Sequence, residues 1–140
     1  MTPADFALTL ASIKEHEGFS PKPVPDTDDT LQVGYGLNLT TDGLTEPEAN
    51  WLAQSKMTER IAQLTAAWPT FATCDGPRQR FVLELAYQCG TAGALGFKDT
   101  LHAIAVRNYP AAITALLDSD VARKDPARTK DYIALLQEPA

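Results

Sequence analysis

The sequence is poor in metal ligands and in basic charge. Of its 140 residues only two are cysteines and two are histidines. Cys74 and Cys89 stand in no metal spacing, and His16 and His102 form neither an HxxxH nor an HExxH pattern. No metal and no cofactor is therefore expected. Both thiols are expected to be buried or half-buried, not paired in a disulfide. No apolar run approaches the roughly 20 residues of a membrane span, so no membrane insertion is expected. The opening MTPADFALTL lacks a basic n-region and carries Asp5, which is not the pattern of a secretory signal. Lysine and arginine number 12 against 18 acidic residues, a net charge of −6. That balance argues against a nucleic-acid partner and against adsorption to anionic surfaces. The cluster Arg123, Lys124, Arg128 and Lys130 is a local exception, which reads as a solvated basic face.

What is present is an ordinary globular composition, 44% hydrophobic and 21% charged. The length suits a single domain, and a monomer is expected. Thr2, Pro3 and Asp5 open a helix over 2–16, with Phe6, Leu10 and Ile13 as its apolar stripe. Gly18 then stands as the residue that ends it. Pro21, Pro23 and Pro25 forbid helix next. The alternation around Leu31, Val33 and Tyr35 predicts a short strand, and the run 19–43 reads as a twisted hairpin region. Gly34 and Gly36 within it mark close backbone approach. Thr45 with Glu48 is a capping box for a helix reaching about Ala67. The segment 77–89 is apolar on most faces and predicts a central buried helix closed by Gly90. Helices over 98–106, 110–118 and 126–136 complete an α+β chain. Trp51 and Trp68 are expected to pack in the core.

Glu17 falls on the apolar stripe of the first helix, at its carbonyl end. Partial burial and the helix dipole would both disfavour its charged form, as a general acid requires. An ordinary surface glutamate is the plainer alternative. Asp26 follows nine residues later in the Pro-rich turn, with Asp28 and Asp29 beside it. Turn chemistry alone accounts for such aspartates. Two carboxylates facing each other are also the apparatus of glycosidic hydrolysis.

The run HEGF…PD…QVGYGLNL (16–39) resembles the N-terminal pattern of the phage-type lysozymes, glycoside hydrolase family 24. LTEPEANWL (44–52), RQRFVLELAYQCGTAGALGF (78–97) and LLDSDVARKDPARTKDYI (116–133) resemble further family segments, in register over roughly 5–136. The resemblance implies a lysozyme-like α+β fold. A small β lobe would occupy 17–44, a helical lobe 1–16 and 68–140, and a connecting helix 45–67, with a cleft between the lobes. It implies a muramidase that cleaves the β-1,4 bond between N-acetylmuramic acid and N-acetylglucosamine in bacterial peptidoglycan. The setting would be a phage endolysin, held in the host cytoplasm until release to the cell wall, or a virion lysozyme.

By the same resemblance Glu17 is the general acid and Asp26 the base or electrostatic partner. Gln32 stands where the family places a water-holding threonine, and it joins the candidate catalytic set. Asp28, Tyr35, Leu37, Gln88, Phe97 and Arg128 are the implied substrate-binding residues, with Arg128 at the position of the arginine that pairs with the acid. Departures from the pattern are Gln32 for threonine, Leu37 for histidine, Val24 for an aromatic residue and Val121 for tryptophan. They leave open a weakened or inactive module that binds glycan or a protein partner.

Overall fold

The computed structural model describes residues 1–26 and 29–139. It is a mixed α+β chain, 70% helical, with one small three-stranded antiparallel sheet. The chain divides into two compact units, Met1–Trp51 and Leu52–Ala140.

The first unit begins with helix α1 (Pro3–Glu17). Its capping box forms as the sequence predicts: the Asp5 amide donates to the Thr2 hydroxyl oxygen at 3.1 Å, and the Thr2 amide donates to the Asp5 carboxylate at 3.3 Å. The apolar stripe does not form a core. Phe6 is 62% exposed and Ile13 46%, and α1 buries no residue. Gly18 caps the helix at φ 68°, its N–H donating to the Lys14 carbonyl, and this reversal sends the chain into the sheet.

Strands β1 (Ser20–Pro25), β2 (Leu31–Gly34) and β3 (Leu37–Asn38) pair in that order. β1 falls in the expected hairpin region, although its bounds were not legible because its three prolines cannot donate to a ladder. It survives as an edge strand with a register irregularity between Ser20 and Val24. Gln32 on the central strand faces Val24 on one side and Asn38 on the other.

Helix α2 (Glu46–Ala67) opens with the Glu48 half of the expected box, the Thr45 amide and hydroxyl both donating to the Glu48 carboxylate. A 3₁₀ turn (Pro69–Thr73) leads into α3 (Gly76–Leu95), which Asp75 caps. Arg78, Phe81, Val82, Leu85 and Ala86 are buried at helical spacing, while Tyr87 and Gln88 are exposed. The helix is therefore amphipathic and not buried all round. Gly90, at φ 78°, breaks the helical backbone without ending the element.

Helices α4 (Lys98–Ala105), α5 (Tyr109–Leu117), α6 (Asp120–Lys124) and α7 (Pro126–Gln137) follow. The core joins Leu64 and Phe71 to the inner faces of α3, α4, α5 and α7. Phe81 meets Tyr132 edge-on at 5.3 Å. Each such side chain, fully buried, contributes about 1.5–3 kcal/mol. Arg78, only 3% exposed, ties this core to the chain's far end. Its guanidinium donates to the Leu136 and Glu138 carbonyls at 3.1 and 2.6 Å and stacks on Tyr109. Trp68 packs against the core, but Trp51 is 67% exposed, so only one tryptophan takes the expected place. Cys89 is likewise exposed and Cys74 half-buried, both free; partial loss of hydration around each sulfur raises both thiols above their usual range.

Candidate active site

Glu17, Asp26, Gln32, Tyr35 and Leu37 all lie in the first unit. Glu17 is the last helical residue of α1 and is exposed. The expected burial of its side chain along the apolar stripe is absent, because the stripe itself is exposed. Its carboxyl instead lies against the β2–β3 turn. A Cβ on Gly36 would meet Oε2 of Glu17 at 2.6 Å and its Cδ at 2.9 Å. Gly36 also has φ +77°, a conformation that side chains other than glycine rarely adopt. The GYG pattern thus has a physical reason: the second glycine lets backbone and carboxyl approach.

Asp26 follows β1 directly. Its N–H donates to the Thr30 carbonyl at 2.8 Å, and its own carbonyl accepts from Asp29 N–H at 3.1 Å. This closes the turn between β1 and β2. The half-buried Gln32 donates from Nε2 to Oδ2 of Asp26 at 2.5 Å. The Gln32 amide thus holds a carboxylate. Asp28 lies outside the described residues.

Tyr35 sits at the tip of the β2–β3 turn and is partly exposed. Its ring centroid is 5.4 Å from that of Phe19, at 47°, and Lys14 Nζ lies 5.1 Å from it. The Phe19 contact was missed in the sequence, although an aromatic residue directly after Glu17-Gly18 was a usable signal. Leu37 is half-buried in β3, opposite Val33.

Gln88, Phe97 and Arg128 belong to the second unit. Gln88 is exposed on α3, and its Oε1 accepts from the Tyr132 hydroxyl at 2.9 Å. Burial, the leading effect, raises the Tyr132 hydroxyl above its usual range, partly offset by Arg128. Phe97 precedes α4 and packs against the core. Arg128 stands in the first turn of α7, where its N–H donates to the Asp125 cap at 3.0 Å. Its guanidinium lies 5.7 Å from the Tyr132 ring and lines a pocket of about 450 Å³ with Met57, Leu83, Glu84 and Tyr87. That pocket is mostly apolar, with Arg80, Arg128 and Glu84 as its charged groups.

Among the described residues no three His, Cys, Asp or Glu side chains are grouped to hold a metal ion. No helix among them is long and apolar enough to cross a membrane. Comparison with protein-family models and with curated proteins finds no match to this chain.

Proposed function

We propose that the chain is a lysozyme-like peptidoglycan hydrolase acting on the β-1,4 bond between N-acetylmuramic acid and N-acetylglucosamine. The observation that supports this reading is that Glu17 and Asp26 both lie in the first unit, one at the end of α1 and one just after β1. Glu17 ends α1 with its carboxyl against Gly36, and Asp26 ends β1 with its carboxyl bound by Gln32. The two carboxylates are carried by different elements, as acid–base chemistry at two faces of a sugar requires.

In this reading Glu17 protonates the leaving glycosidic oxygen as the C–O bond breaks. Positive charge develops at the anomeric carbon. Asp26 stabilises that charge or takes the proton of the water that attacks the anomeric carbon, and a reducing muramic end is the product. The exposed ring of Tyr35, with Phe19 beside it, offers an apolar surface for the face of a sugar. The carry-over of Leu37, Gln88, Phe97 and Arg128 to glycan contacts rests on the family resemblance alone. So do a monomeric state and a place in phage lysis or in a virion.

The test is release of muropeptides from purified peptidoglycan, read by mass spectrometry. The unmutated chain should yield reducing muramic ends. Glu17→Gln should yield none while keeping its circular dichroism, since the change removes a transferable proton and little volume. Full activity in Glu17→Gln would remove Glu17 from the mechanism. An inactive unmutated chain that still sediments with peptidoglycan would favour the glycan-binding module. That second reading draws on the substitution of the water-holding threonine by Gln32.

A further inference from the structure

We propose that Gln32 is a positioning residue that clamps the Asp26 carboxylate across the β1–β2 ladder. The proposal rests on the hydrolase reading above and assigns Gln32 a role other than holding water.

The geometry starts from the register. Gln32 on β2 is the direct partner of Val24 on β1. Side chains two apart on a strand share a face, so Asp26 stands diagonally from Gln32 on the face that Val24 shares. Diagonal neighbours sit roughly 7–8 Å apart, within reach of long side chains only. A threonine or serine at position 32 is too short to make this contact. Glutamine spans the diagonal and brings Nε2 to 2.5 Å from Oδ2 of Asp26.

The contact has a direction. The amide Nε2 donates and the carboxylate oxygen accepts, so the bond fixes which way the Asp26 carboxylate faces. The backbone around it is fixed independently. Asp26 N–H bonds the Thr30 carbonyl, and the Thr30 hydroxyl accepts from the Asn38 side chain at 3.0 Å. Asn38 is the β3 partner of Gln32, so all three strands share in holding this turn. Within that frame Gln32 sets the rotation of the carboxylate. The threonine-to-glutamine departure is then an exchange of one device for another, from water placement to carboxylate placement.

The experiment combines kinetics with a signal that does not depend on activity. In the unmutated chain the Gln32 side-chain amide should show one displaced, slowly exchanging proton by ¹H–¹⁵N NMR. Asp26→Ala should return it to the position of a free amide. Gln32→Met keeps the length without the donor. On soluble glycan strands it should lower kcat roughly tenfold or more, with KM nearly unchanged, because misorientation by a fraction of an ångström acts on the reacting geometry. Gln32→Glu should lose more, since it sets two carboxylates against each other. Unchanged kcat in Gln32→Met, or an amide signal indifferent to Asp26→Ala, overturns the proposal. A displaced amide in a chain with no hydrolase activity overturns the hydrolase reading, and the catalytic role of Gln32 with it, while leaving the hydrogen bond itself in place.

Discussion

At Gly36 the backbone has φ +77°, and a Cβ there would lie 2.6 Å from Oε2 of Glu17. Gly36→Ala therefore meets two penalties. The left-handed backbone costs about 1–3 kcal/mol for a residue with a Cβ. The new methyl also pushes the Glu17 carboxyl from its place. On the hydrolase reading proposed above, the expected outcome is a loss of muropeptide release well beyond the fraction of protein unfolded. Parallel activity and thermal-melting measurements would check it. At Gly34, where nothing lies within 4 Å of an added Cβ, alanine meets only the backbone penalty and is the control. A Gly34→Ala protein as inactive as Gly36→Ala would count against the steric argument. The close approach was legible in QVGYG, but its partner was not, because Glu17 is nineteen residues away in sequence and reaches Gly36 only through tertiary structure. Arg78 shows the same limit. Its partners, the Leu136 and Glu138 carbonyls, lie 58 and 60 residues downstream. No local pattern announces a guanidinium that closes the end of another helix.

The elements divide by how local their causes are. Both capping boxes were readable, since Thr2 with Asp5 and Thr45 with Glu48 carry their partners within three residues. The longer helices follow from period and caps. The bounds of strand β1 were blurred by its prolines, and the five-residue α6 was hidden by its brevity, since Ser119 caps too little chain to show a period. The apolar stripe of α1 misled in the other direction: periodicity shows that a face is apolar, not that it is covered. The boxes also carry a pH dependence. Hydrogen bonds from Thr2 hold the Asp5 carboxyl below its usual range, and those from Thr45 do the same for Glu48. A carboxyl depressed in the folded state adds stability above its unfolded value, and that stability is lost as pH falls through the folded value. The first turns of α1 and α2 should therefore fray as pH drops below about 4, where unperturbed carboxyls titrate. Amide chemical shifts of residues 4–6, 46, 48 and 49 followed down to acid pH would show it. The same residues in Thr2→Ala and Thr45→Ala proteins should already be frayed at neutral pH. Cap signals that stay constant through the acid range would remove the boxes as the cause.

Across the whole molecule, charge and burial are unevenly shared. Met1–Trp51 holds two of the 12 basic residues and nine of the 18 acidic ones, so this unit alone is at −7. Its surface carries Phe6, Leu8, Phe19 and Trp51 largely exposed. Every fully buried hydrophobic residue lies at Leu64 or beyond, within Leu52–Ala140. Hydrophobic burial is the main force opposing chain entropy, so the two units differ in what holds them. The first relies on caps, a short antiparallel ladder and the turn around Asp26, all of which open at low cost where water can compete. The second relies on Phe81, Leu85, Leu116, Tyr132 and Leu136, which must be exposed together before their helices open. Native-state hydrogen exchange should separate these regimes. The slowest amides should lie in α3, α5 and α7, exchanging only through global unfolding. Amides of α1 and of β1–β3 should exchange at least ~100-fold faster, through local opening. Added denaturant should accelerate the slow set steeply and the fast set hardly at all, because local opening exposes little new surface. Equal protection across both sets, with equal denaturant dependence, would mean that the exposed stripe of α1 is covered in solution and that the first unit opens only with the second.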